Sequence, residues 1–179
     1  MKTKTNPRWV IKIILISVCV SMTFTFASTR ILGSAGYVMA FLVLAVFIFV
    51  GIIFDLIGVA VTAASTAPFH SMAAHKEPGA TEAIRLIRNA EKVSSICNDV
   101  VGDISGIVSG STSAIIVTRL MTDLSTDNIL LQLSVSAIVT GAMIGGKAIG
   151  KTLAINNSTS IVLDVGKLIN LKSKIFRKK

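Results

Sequence analysis

The chain has 179 residues, 52% hydrophobic and only 15% charged, with a formal net charge of +9 and a mean hydropathy of +0.75. Soluble domains carry about a quarter charged residues, so this composition excludes an ordinary globular domain and predicts an integral membrane protein. The two cysteines, Cys19 and Cys97, lie far apart in apolar segments. They suggest no disulfide framework or metal motif and read as small buried hydrophobes.

Residues 1–8 are polar and basic, and an apolar segment follows from about residue 9 to 28. Trp9 suits the headgroup interface, and Lys12 can snorkel back to it. Residues 1–30 are therefore an N-terminal transmembrane helix or a signal-like segment. Thr25-Phe26-Ala27 imitates a small-x-small cleavage site poorly, which favours a retained helix. After a turn, a second span is expected over residues 35–63. Its stretch 37–54 holds no ionisable group except the Tyr37 phenol and approaches the length that a bilayer requires. Gly51, Asp55 and Gly58 fall on one stripe near the far end of this span.

Residues 64–92 change character, with Pro68, His70, His75, Lys76, Glu77, Pro78, Arg85 and Arg88. Ser65 or Thr66 before Pro68 signals a helix start. Lys76-Glu77-Pro78-Gly79 is a turn, and Ala80, Ala83, Ile84 and Ile87 mark the apolar stripe of a second short helix. The expectation is a juxtamembrane helical hairpin on the cytoplasmic face. Asn89 then caps the third span, with Glu91 in its first turn.

That third span, expected to reach about residue 118, carries two carboxylates. Asp99 and Asp103 are four residues apart and project from one helical face. Gly102, Gly106 and Gly110 repeat at the same spacing, which permits close helix approach, and Ser95, Ser109 and Ser113 are placed near that face. A carboxylate at membrane depth costs about 2.5–3.5 kcal/mol, so it normally faces a partner, a cavity or an ion. A polar loop containing Asp123 and Asp127 is expected over residues 119–128. A fourth span then runs over about 129–148 with a small-residue stripe of Ser134, Ala137, Gly141 and Gly145. Residues 151–179 are too charged to span and read as a basic amphipathic helix for the membrane surface.

With four spans and a cytoplasmic N-terminus, the cytoplasmic segments hold sixteen Lys and Arg residues, and the outer turns only Arg30 and Arg119. This positive-inside bias places both termini in the cytoplasm of a multi-pass cell-membrane protein. The basic excess lies beside the spans, so the expected partners are membrane lipids and not nucleic acid.

Asp55, Asn98, Asp99 and Asp103 form the polar set within the spans. Carboxylate and carboxamide oxygens suit a hard cation such as Mg²⁺, which makes these four the candidate metal ligands. The bland alternative is that the acids pair with Arg119, Lys147 or backbone groups and hold helices together. His70 and His75, five apart, fit one helical face poorly and read as solvated or headgroup-facing. No nucleophile elbow, phosphate loop or zinc-protease motif occurs, so enzymatic activity is not expected.

The order I-F-D-L-I-G-V-A-V-T-A-A (residues 53–64), G-A-T-E-A-I-R-L-I-R (79–88) and N-A-E-K-V-S-S (89–95) resembles the transmembrane domain of the CNNM/CorB–CorC family of magnesium transport proteins. In that family a span ending F-F-S-G-S-E-T-A-L-T-S-A leads into a cytoplasmic hairpin and then N-P-x-x-x-L-S-T. The resemblance implies an all-α fold, with residues 31–150 as a CNNM-like transmembrane domain and the tail 151–179 behind it. It also implies a homodimer and Mg²⁺ as the bound or transported ion. The departures are specific. Asp55 takes the place of the first serine of S-G-S-E, while Ile57 and Gly58 take those of the second serine and the glutamate. The polar residue of the following span is matched by Asn98 or Asp99. Residues 129–148 lack the acid expected on the last span, and no room remains for the family's paired CBS domains. Divalent-cation transport is the expectation. The alternatives are an accessory membrane protein that keeps the fold without the ion path, and a lipid-surface protein that needs only the basic tail.

Overall fold

The computed structural model describes residues 7–34, 36–125 and 128–177, which form helices joined by short turns, with no strand among them. Helices α1 (Pro7–Ser34) and α2 (Tyr37–Ala63) come first, then the short α3 (Ala67–Ala74), α4 (Ala80–Arg88) and α5 (Ala90–Ser94). A π-helical segment over Ser95–Gly102 leads into α6 (Asp103–Asp123), followed by α7 (Ile129–Asn156) and α8 (Ser158–Arg177).

Four helical runs are long and apolar enough to cross a membrane: Pro7–Gly33, Tyr37–Ala63, Ala90–Asp123 and Ile129–Asn156. Their surfaces support that reading. Val18, Met22, Phe41, Phe49, Leu133 and Ile138 are all more than half exposed, a pattern that lipid tolerates and water does not.

Several boundaries differ from expectation. The third run continues through Arg119 to Asp123, so Arg119 lies in a helix and not in a loop. Asp127 lies outside the described residues. The fourth helix passes Lys147 and Lys151 to reach Asn156, where a span ending near residue 148 was expected. Asn89 precedes α5 without capping it, because its Nδ2 donates to the carbonyl of Arg85 at 2.9 Å and closes α4 instead.

The chain divides into two compact units, residues 1–52 with 99–146, and residues 53–98 with 147–179. In the first unit α1 lies along α6. Val100, Ile104 and Val108, one helical turn apart, meet Ile13, Val20 and Phe24 of α1 and Phe47 of α2. The Phe24 and Phe47 rings are tilted with centroids 5.4 Å apart. A second cluster joins Leu32, Ala40, Val43, Leu44 and Ile116. Between the two, hydroxyls replace hydrocarbon. Ser28 and Thr112 are hydrogen-bonded at 3.0 Å, and Ser105, Ser109 and Ser113 are also buried. Small hydroxyl residues allow helices to approach closely in a bilayer; a Cβ added to Gly51 would lie 3.2 Å from that of Ser105. Ser28→Ala is expected to lower unfolding stability in detergent by about 1 kcal/mol. A double-mutant cycle with Thr112→Val should assign about 0.6 kcal/mol to the pair itself.

In the second unit α3 and α4 pack as two short helices around a left-handed turn, with φ of 57° at Lys76 and 89° at Gly79. Its core holds Ala60 and Val61 of α2, Phe69 of α3, Ala83 of α4, Ala154 of α7, and Val162 and Leu163 of α8. The tail therefore does two things. Val162, Leu163 and Gly166 belong to the packed interior, while Leu168, Leu171 and Ile175 further along α8 stay exposed.

Candidate functional site

Asp55 is 8% exposed, on a helix whose neighbouring residues are almost all apolar. Among the described residues it makes no hydrogen bond or ion pair. Gly58 follows three residues later, about 4.5 Å further along the same side of α2. A Cβ there would collide with the Asn98 carboxamide, with the Cγ of Asn98 only 2.8 Å away. The glycine is what admits the Asn98 side chain to this side of the helix. Asn98 is partly buried; its Nδ2 donates to the Ser94 hydroxyl at 3.2 Å, while its Oδ1 is buried without a partner. Asp55 and Asn98 lie in the same unit. Each carries an acceptor that meets no donor among the described residues.

The π-helical segment explains which polar residue of the third run turns inward. Such wide turns leave the 3.6-residue register and are frequent at functional sites. Here Asn98 is partly buried, whereas Asp99 and Asp103 are exposed and lie in the other unit. The four predicted ligands thus divide into Asp55 with Asn98 on one side and Asp99 with Asp103 on the other. The serines placed near the two acids do not share their exposure: Ser109 is 1% and Ser113 2% exposed, and they face the interior of the first unit. Among the described residues, no three His, Cys, Asp or Glu side chains converge where they could hold a metal ion. His70 and His75 are both exposed. Cys97 is buried as expected, but Cys19 is exposed, and both thiols are free.

Sequence reasoning missed a second polar group, in the first unit. Tyr37, Thr118, Arg119, Thr122 and Asp123 line a cavity of about 320 Å³. The Tyr37 phenol donates to Asp123 Oδ2, and the Arg119 Nη2 donates to the carbonyl of Leu32. The signal present in the sequence was Arg119 and Asp123 at a spacing of four, which a helix continuing to Asp123 places on one face.

Comparison of the chain with protein-family models, with curated proteins and with solved structures finds no match. What the fold itself defines, among the described residues, is a set of helices without strands, four of them candidate membrane spans, the make-up of a multi-pass membrane protein.

Proposed function

We propose that the protein binds a hard divalent cation, Mg²⁺ by resemblance to the CNNM/CorB–CorC family, and moves it across the cell membrane. The observation that carries this reading is that one unit holds both the buried Asp55 carboxylate, which makes no hydrogen bond or ion pair among the described residues, and the unpartnered Oδ1 of Asn98. Buried acceptors are costly unless something positive meets them. Mg²⁺ keeps several of its waters and is commonly held by only one or two carboxylates, so a small oxygen set suffices and no cluster of three acids is needed. The cation sheds part of its water at Asp55 and Asn98, and Asp99 and Asp103 offer exposed carboxylates as further stations. The expected assembly is a homodimer with cytoplasmic termini.

Calorimetry with Mg²⁺ and Mn²⁺ on the full chain in detergent tests the binding step. Wild type binds, and Asp55→Asn and Asn98→Leu each weaken binding at least about tenfold, the loss expected on removing a charge-assisted contact. Asp99→Asn and Asp103→Asn lower uptake into proteoliposomes. Failure of the wild-type protein to bind either ion sinks the proposal.

A second reading, a non-transporting membrane protein, is favoured by the exposure of Asp99 and Asp103 and by the lack of a three-acid cluster among the described residues. Binding without uptake would select it.

A further inference from the structure

We propose that the cavity formed by Tyr37, Thr118, Arg119, Thr122 and Asp123 is a lipid site that selects a phosphate diester bearing a primary ammonium, the headgroup of phosphatidylethanolamine. All five residues belong to one compact unit. Tyr37 is the first residue of α2 and Asp123 the last of α6, so the cavity lies where two apolar runs end. That is headgroup level, where tyrosine is enriched. Below it on α2, Val38 is 83% and Phe41 52% exposed, an apolar surface suited to acyl chains.

The proton inventory of the cavity sets its selectivity. Thr118 donates its hydroxyl to the carbonyl of Ala114 at 2.9 Å, and Thr122 donates to that of Thr118 at 2.9 Å. Tyr37 donates to Asp123. With these protons committed, the two threonines and the tyrosine present lone pairs, and Asp123 adds a carboxylate. Arg119 is the cation among the lining residues; its contact with the Leu32 carbonyl fixes the guanidinium at the end of α1. A guanidinium matches phosphate oxygens in geometry and charge. A ligand complementary to the whole set brings an anion for Arg119 and a positively charged N–H donor for the oxygens. A choline headgroup has the charge but no N–H, and a glycerol headgroup has donors but no positive charge. The volume, about 320 Å³, falls at the small end of ligand sites.

The test is native mass spectrometry of the full chain in detergent, titrated with dioleoyl-phosphatidylethanolamine, its choline counterpart and its glycerol counterpart. The wild-type protein is expected to retain the ethanolamine lipid about tenfold more tightly than the choline lipid, the difference made by charge-assisted hydrogen bonds. Asp123→Asn should erase that preference, Arg119→Gln should weaken all three lipids, and Tyr37→Phe, which keeps the carboxylate, should preserve the preference. Equal retention of ethanolamine and choline lipids by wild type overturns the proposal, and needs no variant to fold. So does an unchanged preference in Asp123→Asn. Soluble phosphoethanolamine is the remaining arm. Its displacement of an ethanolamine lipid that the wild-type protein retains supports headgroup recognition, whereas its binding to a protein that retains none of the three lipids assigns the cavity to a free zwitterion and overturns the lipid assignment.

Discussion

Gly79→Ala is expected to destabilise the unit built from residues 53–98 and 147–179 by about 3 kcal/mol, enough to loosen α8. Two costs combine. Gly79 has φ of 89°, a left-handed conformation that costs a residue with a Cβ about 1–2 kcal/mol. The new Cβ would also lie 2.5 Å from the backbone nitrogen of Lys167 and 2.7 Å from the carbonyl carbon of Gly166. These are backbone atoms that cannot swing aside, and overpacking of this kind costs a further 1–3 kcal/mol or so. Gly166→Ala probes the same crossing from the α8 side. Its Cβ would collide with the carbonyl oxygen of Gly79 and lie 3.2 Å from the nitrogen of Ala83. Without a positive φ at Gly166 it should cost less than Gly79→Ala. Gly145 provides the control, since nothing lies within 4 Å of a Cβ added there, so alanine in that helix should be neutral or stabilising by up to about 1 kcal/mol. Unfolding in detergent with increasing SDS gives the order, and limited proteolysis of α8 shows which part is released. If Gly79→Ala and Gly145→Ala behave alike, the glycine crossing is not what holds α4 to α8.

That crossing also marks how far the sequence could be read. Gly79 was legible as a turn glycine, because Lys76-Glu77-Pro78-Gly79 punctuates two helical patterns. Gly166 was not, because a single glycine in an amphipathic helix does not reveal that another backbone lies against it. The number and order of the long helices were legible from apolar length alone. Their facing was not. α1, α2 and α7 are apolar on nearly every side, so periodicity cannot tell a lipid face from a packed one. The third run misled for a different reason. The sequence pattern sets Asp99, Asp103, Ser109 and Ser113 near one face, but the segment is π-helical through Gly102, and beyond it Ser109 lies six residues from Asp103, well off its face at 3.6 residues per turn. Burial places the serines inside and the acids outside. The three-residue spacing sets Gly58 on the stripe of Asp55, yet only the structure shows that its missing side chain makes room for Asn98.

Asp55→Leu should separate a carboxylate kept for an ion from one kept for the fold. If Asp55 serves binding, its burial without a donor is a standing cost to the apo protein. An apolar residue with the same γ-branched skeleton, though a larger one, removes that cost, so the variant should unfold about 1 kcal/mol or more later than wild type in the absence of metal. Asp55→Asn should also stabilise the apo protein, since it removes a buried charge that meets no donor among the described residues. Metal reverses the order. At a hundred times its Kd, a cation stabilises a protein that binds it by about 2.7 kcal/mol, so Mg²⁺ should raise the melting point of wild type and leave that of Asp55→Leu unchanged. Gly58→Ala should act in the opposite sense, because its Cβ displaces the Asn98 carboxamide. It should weaken both apo stability, by about 1–3 kcal/mol, and the response to Mg²⁺. An Asp55→Leu protein that is less stable than wild type without metal, and equally responsive with it, would make Asp55 a structural residue and leave the cation reading without its main support.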